Sequence, residues 1–309
     1  MQTLIPMIII LAIGVAWRYV EPANLSAQQL RMTMGVLVIN LLAPALILEV
    51  MLTSTLDEEL YQIPFSGFTT VGLVLGASLA VYYTLLRSGT ISRAQAGALV
   101  MACAFGNGMG IGLPTIDALM GSEWAGIPLI YDLLVTVPFV WIIGVLLCAH
   151  FGTRIAGGGL GRELLHMPPF WALIISLAIL QFDVVVPDAL LKTLHIIGTA
   201  TIPLLLLMVG ISLKLGSKKH LAIVAPVLFL KLVMSPALAF YAGSFIGLGG
   251  EVLTAMVLTA AAPAVVVGIA LCDRYELDTE LFCTAMTLST AIYILLAPPL
   301  FTILDGMAS

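Results

Sequence analysis

The sequence predicts an all-α polytopic membrane protein with ten transmembrane helices, arranged as two inverted repeats of five helices each. Three observations support this fold class. First, 61% of the 309 residues are hydrophobic and only 9% are charged, whereas about a quarter of the residues are charged in an ordinary soluble domain. Second, the apolar residues are grouped into segments long enough to cross a bilayer. Third, the basic residues occupy alternate loops between these segments.

Ten apolar segments follow one another along the chain, and most have the roughly 20 residues that a bilayer-spanning helix requires. They lie near 4–20, 31–53, 65–86, 94–119, 124–151, 170–182, 190–213, 221–248, 252–274 and 281–304. The first has neither a basic region before it nor a small-residue cleavage site after it, so we expect a retained first helix. Short connections predict one membrane domain over 1–309, with repeats at about 1–153 and 165–309.

Lysine and arginine residues indicate the orientation. Apart from Lys192 and Lys231, all of them lie in the odd-numbered loops or in the flanks of those loops. Because cytoplasmic loops carry the excess of basic residues, we expect the odd-numbered loops to be cytoplasmic and both termini to be extracytoplasmic. The expected location is the cell (inner) membrane, with the protein integral to it and multi-pass.

Helix-breaking residues mark the fourth and ninth segments. Glycines at 106, 108, 110 and 112 precede Pro114 in the fourth, and Pro263 interrupts the ninth. Glycine lacks backbone restraint and proline removes a hydrogen-bond donor, so both helices are expected to break. Within a bilayer such breaks persist only where they are buried in protein or line a polar cavity. We interpret them as a binding site where half-helix N-termini face an anion; a packing seam of small residues is the alternative.

Prolines at corresponding places in the two halves indicate the inverted repeat. Pro44 in the second segment corresponds to Pro203 in the seventh, and Pro114 in the fourth corresponds to Pro263 in the ninth. An odd number of helices in each half gives the halves opposite orientations, which is the usual architecture of secondary carriers.

Four motifs resemble those of the auxin efflux carrier family of membrane transporters. They are Asn40-Leu-Leu-Ala-Pro-Ala-Leu-Ile, Gly106-Asn-Gly-Met-Gly-Ile-Gly-Leu-Pro114, Lys231-Leu-Val-Met-Ser-Pro236, and Ala261-Ala-Pro263-Ala with the following Tyr275. The resemblance extends over nearly the whole chain. Proteins of the plant branch often have a long central cytoplasmic loop, whereas segment 152–166 is short here, so regulation through that loop is not implied.

The resemblance implies both a function and a fold. Bacterial members are described as permeases for malonate, malate or other organic anions, so the expected substrate is a small carboxylate of this kind or an auxin-like acid. The fold is expected to be related to bile acid and sodium symporters, in which the two broken helices cross and form an elevator-like transport domain beside a scaffold. The expected mechanism is alternating access. The alternatives are a channel or facilitator, and a sodium-coupled symporter of an amphipathic acid.

Candidate substrate-binding residues come from four of the predicted helices. They are Asn107, Gly108, Gly110, Gly112 and Pro114 of the fourth, Pro263, Ala264 and Val265 of the ninth, Asn40 of the second and Lys231 of the eighth. The alternative role of Asn40 is to cap the break before Pro44.

Lys231 and Asp132 are ionisable residues within predicted spans, where a charge is costly, and both are candidates for coupling transport to an ion. Lys231 either faces the substrate anion, changes its protonation state, or hydrogen-bonds to carbonyl groups freed by the broken ninth helix. Asp132 either relays a proton or is solvated from outside the membrane. The coupling ion, H⁺ or Na⁺ if there is one, is left open.

Other function classes lack their sequence signals. The chain contains no His-Glu-X-X-His, no Gly-X-Ser-X-Gly and no phosphate-binding loop, so we expect neither an enzyme nor a nucleotide-driven pump. We expect no cofactor and no metal site, and the lack of a basic tract argues against nucleic acid. The expected partners are the substrate anion and membrane lipid, and a homodimer is left open.

Overall fold

The computed structural model describes residues 4–22, 25–53, 59–153, 168–182, 184–214 and 221–308. Its helices are α1 (Ile5–Val20), α2 (Ala27–Thr53), α3 (Glu59–Arg87), α4 (Arg93–Ala104), α5 (Leu113–Leu119), α6 (Ser122–Phe151), α7 (Pro168–Gln181), α8 (Asp188–Ser212), α9 (Leu221–Phe245), α10 (Gly250–Ala260), α11 (Val267–Tyr275) and α12 (Thr279–Ala308). Six of them, α2, α3, α6, α8, α9 and α12, are long and apolar enough to cross a bilayer. The all-helical membrane fold is therefore confirmed. Ten spans and an inverted repeat stay predictions, and most of segment 152–166 lies outside the described residues.

Two of the helices begin with a capping box, which fixes their first residues. Ser26 Oγ accepts a hydrogen bond from Gln29 N ahead of α2, and Ser92 Oγ accepts one from Gln95 N ahead of α4. In both cases the glutamine side chain returns a bond to the backbone of the serine. The reciprocal pair satisfies two of the amide groups that have no partner within the helix.

Four π-helical turns each end two residues before a proline. They are Val38–Leu42, Gly108–Gly112, Asp132–Thr136 and Leu230–Met234, ahead of Pro44, Pro114, Pro138 and Pro236. Proline has no N–H, and its ring collides with the carbonyl four residues earlier, so a widened turn ahead of it relieves the conflict. Three of these turns include a polar candidate residue, Asn40, Asp132 or Lys231, and the turn Gly108–Gly112 consists largely of candidate glycines and directly follows Asn107.

The chain divides into two compact units. Unit 1 consists of Met1–Leu56 and Gly161–Ser212, and unit 2 consists of Asp57–Leu160 and Leu213–Ser309. Unit 1 therefore contains α1, α2, α7 and α8, and unit 2 contains the remaining helices. Each unit combines part of the first predicted repeat with part of the second.

In unit 1, α1 and α8 are in backbone contact at a pair of glycines. A Cβ added to Gly14 would lie 2.5 Å from Leu207 O, and a Cβ added to Gly210 would lie 2.3 Å from Leu11 O. Both distances are far below van der Waals contact, so only glycine fits at these two positions. Such small residues are what allows transmembrane helices to approach closely.

Unit 2 is built around α4 and α10. Residues 96–104 of α4 and 253–260 of α10 are all buried, and α3, α9 and α12 pack around them. By contrast, α3 and α9 expose aromatic side chains, including Phe65, Phe68, Phe229 and Phe245, as helices facing lipid do. The two helices that were expected to break are thus the innermost helices of this unit.

Candidate substrate site

The fourth and ninth predicted helices are both interrupted, and their interruptions pair with each other. The first interruption follows α4, which ends at Ala104, and the second follows α10, which ends at Ala260. Gly106 and Ala264 form an antiparallel bridge. Asn107 N donates to Pro263 O at 2.7 Å, and Val265 N donates to Phe105 O at 3.1 Å. These bonds satisfy backbone groups that neither broken helix can satisfy, as a buried site requires.

Asn107 lies at this crossing and caps the helical segment that follows it. Its Oδ1 accepts a hydrogen bond from Gly110 N at 3.2 Å, and its backbone carbonyl accepts from Ile111 N and Gly112 N. The side chain is 7% exposed. A Cβ on Gly110 would lie 2.4 Å from Asn107 Oδ1, so the glycine is required for the cap to form.

We call the π turn Gly108–Gly112 together with α5 the first half-helix, and α11 the second half-helix. Asp132 of α6 lies at the start of the first half-helix. Its Oδ2 accepts a hydrogen bond from Met109 N at 3.0 Å, and a Cβ on Gly108 would lie 3.0 Å from its Oδ1. Asp132 is 7% exposed, and its buried Oδ1 has no hydrogen-bond partner among the described residues. This placement favours a role at the crossing over solvation from outside.

Lys231 of α9 reaches the same crossing. It is 3% exposed, and a Cβ on Gly106 would lie 2.8 Å from its Nζ and 3.3 Å from Ala262 O. The ammonium group interacts electrostatically with the carboxylate of Asp132. Among the described residues, no direct ion pair joins these two side chains. Lys231 therefore places a buried positive charge beside the bridge between Gly106 and Ala264.

Three hydroxyl groups that the sequence did not single out support the second interruption. Ser235 Oγ donates to Ala260 O at 2.7 Å, and Tyr293 OH donates to Leu258 O at 3.1 Å. Ser289 Oγ accepts from Ala264 N at 3.5 Å. Ser235 directly precedes Pro236 within the motif that begins at Lys231, and this was the signal available in the sequence. The carbonyl groups at the end of α10 are thus bound by hydroxyls of α9 and α12.

The two half-helices differ at their starts. Side chains of Asn107 and Asp132 accept hydrogen bonds from amides of the first half-helix. The residue that precedes the second half-helix is Val266, whose side chain provides no cap. The first backbone amide groups of the second half-helix therefore have no side-chain acceptor, and they keep the partial positive charge of a helix N-terminus.

The remaining candidate residues have distinct places. Gly112 packs against the second interruption, because a Cβ on it would lie 3.6 Å from Ala262 Cβ, and Pro114 is buried in the first turn of α5. Asn40 belongs to unit 1, where its Nδ2 donates to Val36 O at 2.8 Å. The structure therefore groups the candidates of the first interruption and first half-helix, of α9 and of the second interruption in unit 2, and Asn40 is not among them.

Metal coordination has no visible basis in the part of the chain that the structure describes. Within that part, no group of three or more histidine, cysteine, aspartate or glutamate side chains could hold a metal ion. The four cysteines are all free and buried.

Comparisons with known proteins identify similar membrane transport proteins. A family model for membrane transport proteins matches residues 152–301, a range that includes Lys231 and the second interruption. A protein of Methanothermobacter thermautotrophicus, described as an uncharacterized transporter, is 24% identical over 277 residues, which cover 86% of each chain. Another uncharacterized transporter, from Methanocaldococcus jannaschii, is 24% identical over 208 residues, 64% of this chain and 65% of the relative's own length.

The fold and these matches define a transmembrane transport protein that is integral to the membrane and multi-pass. The resemblance is thereby confirmed as one to membrane transport proteins, and the matched range contains two of the four motifs, those that begin at Lys231 and Ala261.

Proposed function

We propose that this protein is a secondary transporter that moves a small organic anion across the cell membrane by alternating access. The substrate class is a carboxylate, either of the malonate and malate type or an auxin-like acid. The observation that carries the proposal is the buried crossing in unit 2, where Lys231 and Asn107 lie beside the paired interruptions. Interrupted helices whose half-helix ends meet in the membrane are the usual site at which secondary carriers bind their substrates.

The charge at the crossing favours an anion. A lysine within a span costs several kcal/mol unless it is paired or hydrated, and Lys231 is nearly completely buried without a direct ion pair to Asp132. The second half-helix begins without a side-chain cap, so its N-terminus adds partial positive charge nearby. A substrate carboxylate between these groups would offset both the positive charge of Lys231 and the partial positive charge of the half-helix N-terminus.

The division into two units supports an elevator-type movement. Unit 2 contains both interrupted helices, and unit 1 contains neither. We propose that unit 2 is the moving transport domain and unit 1 the scaffold. Because each unit draws on both predicted halves of the chain, the division fits the inverted repeat.

Lys231 and Asp132 are the proposed coupling residues. They are buried, titratable and in electrostatic contact. A substrate anion that approaches Lys231 changes the field at Asp132, so binding and protonation of this pair would be linked. On this basis we propose H⁺ as the coupling ion.

Counterflow exchange in proteoliposomes tests the proposed function. Vesicles preloaded with unlabelled carboxylate should accumulate labelled carboxylate, and we expect Lys231→Met and Asn107→Ala to lower this exchange at least about tenfold, because each loses a group at the site. Lys192→Met is the matched control, since Lys192 is an exposed residue of unit 1. Each variant is compared by its melting temperature to establish that it is folded.

Two outcomes would refute parts of this assignment. Full exchange by both site variants would remove Lys231 and Asn107 from the site. Substrate conductance without counterflow exchange would show a channel or facilitator instead of a carrier.

A further inference from the structure

The first half-helix already holds a carboxylate, and this carboxylate is part of the protein. Asp132 Oδ2 accepts a hydrogen bond from Met109 N, and Asp132 Oδ1 lies close to Gly108. In a carrier with two half-helix starts at one crossing, both starts can hold a carboxylate of the substrate. Here one start is filled by α6, and only the second remains without a side-chain acceptor.

The fixed charges at the crossing also favour a single substrate carboxylate. Lys231 contributes one positive charge and Asp132 one negative charge, and each half-helix start contributes about half a positive charge. One substrate carboxylate at the second half-helix balances this arrangement. A second carboxylate would approach the buried Oδ1 of Asp132, which has no hydrogen-bond partner among the described residues and repels an anion.

Capping alone does not require a charge at position 132. The amide oxygen of asparagine accepts a hydrogen bond from Met109 N as a carboxylate oxygen does, and burying a charged carboxylate costs more free energy than burying the neutral amide. Asn107 is an uncharged residue that already caps this half-helix, because its Oδ1 accepts a hydrogen bond from the neighbouring amide, Gly110 N. The charge of Asp132 therefore calls for a second explanation.

We propose that Asp132 is a specificity-determining residue that restricts the substrate to a single carboxylate, by occupying the start of the first half-helix with the protein's own carboxylate. The proposal rests on the proposed function as an organic-anion carrier and narrows its substrates to the auxin-like class with one carboxylate, which removes the malonate and malate type. Substrates with one carboxylate on an apolar body bind, and those with a second carboxylate are excluded by like-charge repulsion.

Matched pairs of acids test whether Asp132 excludes a second carboxylate, and the measurements use the purified full-length protein. Butyrate and succinate have the same chain length and differ in the second carboxylate, as do 4-ethylphenylacetate and 1,4-phenylenediacetate. Because a ligand that binds the folded state raises its apparent stability, thermal stabilisation gives the apparent affinity for each acid. We expect the single-carboxylate member of a pair to bind wild type at least about tenfold more tightly than its dicarboxylate partner.

Asp132→Asn is the decisive variant. It keeps an acceptor for Met109 N and removes the charge, so we expect it to gain dicarboxylate binding and to reduce the preference for one carboxylate by about tenfold or more. Asp117→Asn is the matched control, because it makes the same change at an exposed residue of α5. The control should keep the wild-type preference.

Several results would overturn the proposal that Asp132 restricts the substrate to one carboxylate. Equal affinity of the wild-type protein for both members of a pair would overturn it. This test needs no variant, so it also applies if Asp132→Asn does not fold. A folded Asp132→Asn protein with the wild-type preference, or with weaker binding of both members, would do so too. Wild type that binds neither acid of either pair and exchanges no labelled carboxylate would refute the proposed carrier function itself.

Discussion

Glycine brings backbone segments together in both units, but the two contacts differ in kind. In unit 1, Gly14 and Gly210 let two intact helices touch, and each helix satisfies its own hydrogen bonds. In unit 2, Gly106 lies where a helix has ended, and its neighbours hydrogen-bond to another broken helix. The first contact is a packing seam between intact helices, and the second is a buried pairing of backbone groups at the proposed substrate site. The same residue type thus packs two intact helices in one unit and joins two interrupted helices in the other.

The seam of unit 1 should give the largest stability change. Gly210→Val places side-chain atoms on Leu11 O, a backbone atom that cannot move aside, so we expect a loss of about 3 kcal/mol or more from overpacking. The melting temperature in detergent measures it. Gly72→Val is the control, because a Cβ at Gly72 meets nothing within 4 Å, and it should melt near wild type. A Gly210→Val protein as stable as the control would mean that the seam is not closely packed.

The second-largest loss of stability is expected on substitution of Asn107, which caps the first half-helix at the crossing. Asn107→Ala leaves Gly110 N buried without its acceptor, which costs about 1–3 kcal/mol. Asn107→Asp keeps an oxygen acceptor at the same place, so it should recover most of the melting temperature while placing a negative charge at the proposed anion site. We expect Asn107→Asp to be folded and inactive in counterflow exchange. Active exchange by Asn107→Asp would contradict an anion site at this residue.

Substitution of Gly106 should change the substrate affinity with little change in stability. A Cβ there would meet the flexible end of Lys231, at 2.8 Å from Nζ, so the lysine can shift and Gly106→Ala should cost only about 1 kcal/mol or less. Substrate affinity should nevertheless fall, because the ammonium is displaced. A double-mutant cycle with Lys231→Ala measures the coupling between the two residues. Additive effects on affinity would show that Gly106 does not act through Lys231.

The smallest effect is expected at the hydrogen-bonded pair His195 and Glu49 of unit 1. His195 Nδ1 lies 3.2 Å from Glu49 Oε1, and the side chains are 68% and 19% exposed. Solvent-exposed pairs contribute about 1 kcal/mol at most, so Glu49→Gln should change the melting temperature little and leave counterflow exchange unaltered. A change in transport on this substitution would assign the pair a role that its exposure does not suggest.

Particular residues show how far sequence reasoning reached at the site. The interruptions near Asn107 and Pro263 were expected because glycine and proline act on the backbone locally, whatever surrounds them. The three hydroxyls of Ser235, Ser289 and Tyr293 were not found, since a single serine or tyrosine in a span has many satisfied placements. Asn40 has a polar side chain ahead of a proline, as Asn107 does, but only the structure assigns it to unit 1.

The sequence by itself determined that this protein is an all-helical membrane protein and where two of its helices break. Hydropathy and helix-breaking residues are local properties, so a single chain reveals them. Only the tertiary structure decided that Asp132 accepts from Met109 N, that Lys231 lies beside Gly106, and that the start of the second half-helix has no side-chain cap. Each of these depends on which helices come together, because charges and hydrogen bonds act over a few ångströms between residues far apart in the chain.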